Sequence, residues 1–250
     1  YMPSSVSLLY LSLNRKVKTY KKDFIAFGNP DTKISAKKGC DSSNVLVQLY
    51  ENQDFEFSPL PFSEREINLI SKLFKEEKRD VFLRDEASEK VIKKITLSDY
   101  RIIHFSCHGF IDENYPFRSS LVLSLADGKG EDGFLQVKEI YDLEMMPQLV
   151  VLSACQTGRG TLKRGEGVLG LPRVFFYAGA QSILSSLWRV RDKQTAKFMN
   201  LFYTYLASGK SKAQSLQLAK IDFIESKKYS NPFYWAPFIL NGEFLGAVNF

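Results

Sequence analysis

Short apolar runs alternate along the chain with amphipathic stretches, and the alternation predicts most of the elements. Phe24-Ile25-Ala26-Phe27 is apolar at every position and stops at Gly28-Asn29-Pro30, the pattern of a buried strand ended by a turn. Residues 31–60 are polar and rich in Ser, Asp and Asn, which predicts a long loop. Ser63 and Glu66 stand three apart as a capping box, and Ile67, Ile70, Leu73 and Phe74 follow at helical spacing. Asp80 to Leu83 reads as a short strand and Glu86 to Lys94 as a short helix. Arg101 to Cys107 is a strongly apolar strand that runs into His108-Gly109.

The second half repeats the rhythm. Ser120 to Leu125 is rich in strand formers, with turns expected at Asp127-Gly128 and Asp132-Gly133, and Val137 to Leu143 suggests a helix. Leu149-Val150-Val151-Leu152 leads into Ser153-Ala154-Cys155. Gly167 to Ala178 has helical periodicity with Pro172 inside it, and Gln181 to Trp188 reads as a strand. Asp192 caps a helix through Leu206, Ser211 with Gln214 boxes another to about Ile224, and Tyr234 to Leu240 closes the chain as a strand. Strands apolar on both faces belong to parallel sheets covered by helices, so the expected class is α/β around a mostly parallel central sheet. Ligands of such sheets sit at the carboxyl ends of the strands. Two of the best strands end there in notable chemistry, one at His108-Gly109 and one at Cys155-Gln156-Thr157-Gly158.

Composition narrows the picture. With 250 residues, 44% hydrophobic and 25% charged, the chain has enough apolar surface to fold, which excludes disorder. No apolar run approaches the ~18 residues of a membrane-spanning helix. Tyr1 is not a translation start, so the chain is expected to be a domain of something longer. The net charge of +6 is modest, and the cluster Arg15, Lys16, Lys18, Lys21 and Lys22 lacks interleaved aromatics, so a solvated face is expected rather than direct nucleic-acid binding. Cys40, Cys107 and Cys155 are too few for a disulfide framework and odd in number. They point to a reducing, cytoplasmic setting or to a thiol kept for reactivity.

The only histidines, His104 and His108, flank Cys107, and three readings follow. His104, Cys107, His108 and Cys155 are four zinc-type ligands, but on a strand Cys107 points away from the two histidines. Buried packing at strand ends is the second reading. The third is nucleophilic catalysis, in which a thiol with a pKa near ~8.5 needs a base to become the attacking thiolate. His108 and Cys155 are separated by about one crossover unit, and the Gly109 and Cys155 N–H groups offer two donors for an oxyanion.

The segments His104-Phe105-Ser106-Cys107-His108-Gly109 and Leu149 to Gly158 strongly resemble the CHAT domain peptidases, relatives of caspases and separases. The resemblance continues through Gly165-Glu166-Gly167, Phe176 to Ala180, Ser185 to Trp188 and Trp235 to Phe238, and touches Tyr1 to Leu9. It implies a caspase-like three-layer sandwich and a cysteine endopeptidase. His108 would be the general base and Cys155 the nucleophile, with Gly109 and Cys155 forming the oxyanion hole and no cofactor or metal. It implies one CHAT domain, with residues 1–60 an N-terminal strand and loop-rich part and residues 61–250 the catalytic core. It leaves His104 as a buried strand histidine and Cys107 as packing.

The strand after the cysteine-bearing unit runs beside the substrate in caspase relatives, which makes Trp188, Arg189 and Asp192 candidate substrate-binding residues. Where the family usually has Leu-Trp-Pro-Val-Asp-Asp, this chain has Leu-Trp-Arg-Val-Arg-Asp, so an acidic pocket for a basic side chain does not follow. Thr157 to Gly167 reads as a mobile loop tied to activation. By the same resemblance the expected partners are a protein substrate and an upstream TPR-like helical-repeat region or a regulatory complex. CRISPR effectors play that part for some members, in prokaryotic defence. The rival reading is a catalytically latent interaction domain that keeps the fold and binds a partner protein.

Overall fold

A computed structural model describes residues 19–32, 59–112, 115–125, 130–153 and 167–248 of the chain. Cys40, Cys155, the opening segment, most of the polar stretch after residue 32, the Asp127-Gly128 turn and the loop expected from Thr157 lie outside the described residues.

A six-stranded sheet forms the centre, in the order β2 (Arg79–Leu83), β1 (Lys22–Gly28), β3 (Tyr100–Ser106), β7 (Leu149–Leu152), β8 (Ser182–Ser186), β9 (Phe238–Gly242). Every pairing is parallel except the last, β8 with β9. A smaller antiparallel sheet joins β4 (His108–Phe110), β5 (Ser120–Val122) and β6 (Phe134–Gln136). The helices are α1 (Pro61–Ser71), α2 (Glu89–Lys94), α3 (Val137–Tyr141), α4 (Gly167–Tyr177), α5 (Asp192–Ala207) and α6 (Lys212–Glu225).

The strand alternation sorts the core into two layers. Ile25, Phe27, Ile103, Phe105, Val150 and Leu152 face one cluster with residues of α2, α3, α4 and the small sheet. Phe24, Ala26, Ile102, Leu149 and Val151 face the other, against α1, α5 and α6. Residues two apart on a strand share a face, so β1, β3 and β7 are buried on both sides. The result is the expected three-layer sandwich.

Three expectations are corrected. Helix α1 begins at Pro61, because proline is pre-set for the first helical position and needs no N–H there. Ser63 and Glu66 therefore lie inside the helix and do not form a capping box. Helix α5 takes Arg191 as its N-cap with no side-chain cap, so Asp192 is its first helical residue and its carboxylate is used elsewhere. The strand over Arg101–Cys107 does not run on into His108: it ends at Ser106, the chain turns at Cys107, and His108 opens the small sheet. The Ser211–Gln214 box stands, with both reciprocal hydrogen bonds made.

Gly179 ends α4 with φ +109°, and a Cβ there would overlap the Met145 carbonyl, so glycine is required twice over. The described basic residues near the start are paired: Lys21 meets Asp99 at 2.9 Å and Lys22 meets Asp80 at 2.5 Å.

Candidate active site

The carboxyl ends of three parallel strands open onto one cleft of about 650 Å³, where the sheet topology predicts a ligand. Ser106, Ser153 and Ser186, at the ends of β3, β7 and β8, form its floor with His108. Leu60, just before α1, the segment Arg189 to Asp192 with Thr195, and Phe233 with Tyr234 form the walls. His108 is buried, as are Gly109 and Cys107; Gly109 stands opposite Leu121 in the small sheet. Cys107 packs into the apolar cluster on the α2–α4 side of the main sheet, the place its packing reading gave it. Cys155 lies outside the described residues, and Ser153, the last described residue before it, lines the cleft.

Beneath this floor lies a buried polar cluster that sequence reasoning did not find. Glu66 Oε1 is 2.8 Å from His104 Nε2, and the Ser153 hydroxyl donates to the same oxygen at 2.5 Å. His104 Nδ1 is 3.0 Å from the Tyr203 hydroxyl. His104 and Tyr203 are fully buried and Glu66 is 1% exposed. With a carboxylate accepting from Nε2–H, neutral imidazole leaves Nδ1 as the acceptor for the Tyr203 hydroxyl. Burial pushes the Tyr203 phenol well above its ordinary range, helped by the negative charge of Glu66, so its proton stays on. His104 is thus the buried, hydrogen-bonded strand histidine expected of it, and neither ring nitrogen is spare for a metal.

The first turns of α1 grip the strand ends. The Ser63 hydroxyl donates to the Ser106 carbonyl at 2.5 Å and accepts from the Asn29 N–H at 2.9 Å. The Phe62 N–H, one of the donors that a helix start leaves without an intrahelical partner, donates to Asp192 Oδ2 at 2.7 Å. Burial lifts the Asp192 carboxyl to about 6; the Phe62 hydrogen bond opposes the shift and the charge of Glu66 adds to it. Ser63, Glu66, Ile67 and Ile70 share the buried face of α1. A polar pair on an otherwise apolar helical stripe is the signal that points to this cluster in the sequence.

The candidate substrate-binding residues divide. Arg189 and Asp192 line the cleft, joined by Arg191. Trp188 does not line it; its indole N–H donates to the Phe233 carbonyl at 3.1 Å and so braces a wall residue from behind. Among the described residues, one group of acids is close enough to share a cation: Glu89, Glu131 and Glu139. The Lys93 ammonium already contacts all three, at 2.5, 2.6 and 2.9 Å.

No described helix is long and apolar enough to cross a membrane. The fold is similar to that of Saccharomyces cerevisiae separase, solved with securin, at a TM-score of 0.53 and 14% identity over 98% of this chain and 14% of that one. It is also similar to the Arg-specific cysteine proteinase gingipain R, at a TM-score of 0.52 and 9% identity over 92% of this chain and 47% of that one. At these identities the likeness is one of fold, the caspase-like sandwich. In sequence, the chain is 36% identical to Tetratricopeptide repeat protein 28 of Mus musculus and 35% identical to that of Homo sapiens, each over 109 residues. The match takes in 44% of this chain and 4% of the length of each relative. A sequence model described as CHAT domain matches residues 1–243. The chain belongs to the CHAT domain family.

Proposed function

We propose that the chain is a cysteine endopeptidase that works through a Cys155–His108 dyad. The observation that carries this reading is the place of His108, buried on the floor of a cleft at the strand ends, with Ser153 beside it. Cys155 follows Ser153 by two residues in the sequence. The protease-type fold and the CHAT membership support the same reading.

In the reaction, His108 takes the Cys155 proton and the thiolate attacks a peptide carbonyl carbon, forming a C–S bond. The backbone N–H groups of Gly109 and Cys155 hold the resulting oxyanion. The His108 imidazolium then protonates the departing amine as the C–N bond breaks, leaving a thioester. Water, deprotonated by His108, hydrolyses the thioester and restores the thiol. Arg189 and Asp192 sit where they touch the substrate, and Trp188 steadies the wall through Phe233. The tetratricopeptide relatives support an upstream helical-repeat region that gates the site.

Incubation with a proteome-derived peptide library, read by mass spectrometry, tests the activity. Cleavage that disappears in both Cys155→Ala and His108→Ala supports it. Partner binding that survives both substitutions, with no cleavage by the parent chain, favours a latent interaction domain.

A further inference from the structure

The cleft carries a charge pattern that specifies its substrate further. Arg189 and Arg191 both line it, both are exposed, and neither guanidinium has an ion-pair partner among the described residues. They stand two apart in a segment outside regular structure, at the same wall of the cleft. The one carboxylate among the described lining residues, Asp192, is half-buried and its Oδ2 accepts from the Phe62 N–H; no ion pair joins it to either guanidinium. Helix α5, 16 residues long, starts at the same wall; the positive end of its dipole faces the cleft beside the two guanidiniums, with Asp192 in its first turn offsetting part of it. Leu60, Val190, Phe233 and Tyr234 supply apolar surface around this charge.

We infer that the cleft selects peptide substrates bearing an acidic side chain close to the scissile bond, its carboxylate held by Arg189 and Arg191. The inference rests on the peptidase reading and names its substrate class. Two unpaired guanidiniums beside a cleft match a carboxylate in charge and in fork geometry, whereas a basic side chain meets like charge. An amide of the same shape leaves the guanidiniums hydrated and gains little.

The test is protection of Cys155 from iodoacetamide by acetylated tetrapeptide aldehydes. Asp, Asn or Lys is placed in turn at each of the four positions. An aldehyde carbon bonds to the Cys155 sulfur and its oxygen takes the thiol proton, so protection reads binding without turnover. At one position, Asp is expected to protect at a concentration at least ten-fold lower than Asn or Lys. In Arg189→Glu/Arg191→Glu, whose fold is checked by circular dichroism, the order reverses in favour of Lys. Equal protection by Asp and Asn, preference for Lys, or no protection by any aldehyde overturns the inference while leaving the dyad standing. If iodoacetamide shows no preference for Cys155 over Cys107, and His108→Ala changes nothing, the peptidase reading falls and the inference falls with it.

Discussion

Glu66 accepts the hydroxyl of Ser153 at 2.5 Å and thereby ties helix α1 to the end of the strand that leads to Cys155. The same oxygen meets His104 on the neighbouring strand at 2.8 Å. One carboxylate, 1% exposed, therefore sets the spacing of β3 and β7 where both open onto the cleft. Removing it leaves a buried imidazole and a buried hydroxyl without their acceptor, a loss of about 3–5 kcal/mol for two buried polar groups left unpaired. For a chain of this size that is roughly 6–20 °C in melting temperature. Glu66→Ala is expected to melt lower by that amount, while Glu66→Gln, which keeps one acceptor, loses less than half as much. Differential scanning calorimetry of both variants checks the prediction, and a Glu66→Ala protein that melts with the parent contradicts it.

Asp192 gives a pH dependence with a definite sign. Its carboxyl titrates at about 6 in the fold against an ordinary 3.8. Between those values the native state holds a proton that the unfolded chain has released, so stability falls as pH rises from about 4 to about 6. Below 3.8 this contribution is fully present, and above about 6 it is lost. Asp192→Asn keeps an acceptor for the Phe62 N–H and has no proton to titrate. Chemical denaturation at half-unit pH steps is expected to show a flatter profile for Asp192→Asn over pH 4–6. Parallel profiles for parent and variant refute the assignment.

Ser63 links three elements through one oxygen, donating to Ser106 and accepting from Asn29. Its replacement by alanine leaves the Asn29 N–H and the Ser106 carbonyl only their mutual hydrogen bond at 3.2 Å, at a cost of about 0.5–1.5 kcal/mol. Ser63→Ala is expected to lower the urea midpoint with an unchanged m-value, because the loss is local and the surface exposed on unfolding stays the same. A change in m-value, or no change in midpoint, counts against that role.

The strands and the histidine motif were legible because burial on both faces writes itself as uninterrupted apolar runs. Phe24 to Phe27, Ile102 to Phe105 and Leu149 to Leu152 all became central strands. The position of His108 was legible only in part. A site at the carboxyl ends of the strands was expected from the rule for parallel sheets, but the turn at Cys107 that moves His108 into a second sheet depends on pairing with Ser120 to Val122, which no local pattern at His108 announces. Glu66 was misread because a serine and a glutamate three apart satisfy two patterns at once. They match a capping box, and they also match one face of a helix. Pro61 decides between these by starting the helix early, and that decision turns Glu66 inward. Asp192 was misread as a cap for a related reason: what claims its carboxylate is the Phe62 N–H, 130 residues away in sequence.

The central claim, a reactive Cys155 activated by His108, is tested most directly by the pH dependence of iodoacetamide alkylation, mapped to individual cysteines. Buried Cys107 serves as the slow internal reference. An ordinary thiol of pKa ~8.5 is about 1% thiolate at pH 6.5, whereas a thiolate paired with imidazolium is largely ionised. The lower nucleophilicity of a low-pKa thiolate offsets part of that gain. Cys155 is therefore expected to react about ten-fold or more faster than an ordinary thiol at pH 6.5, and to lose that advantage in His108→Ala. Cys155 reacting at the rate of an ordinary thiol across pH 5–9, unchanged in His108→Ala, contradicts the dyad.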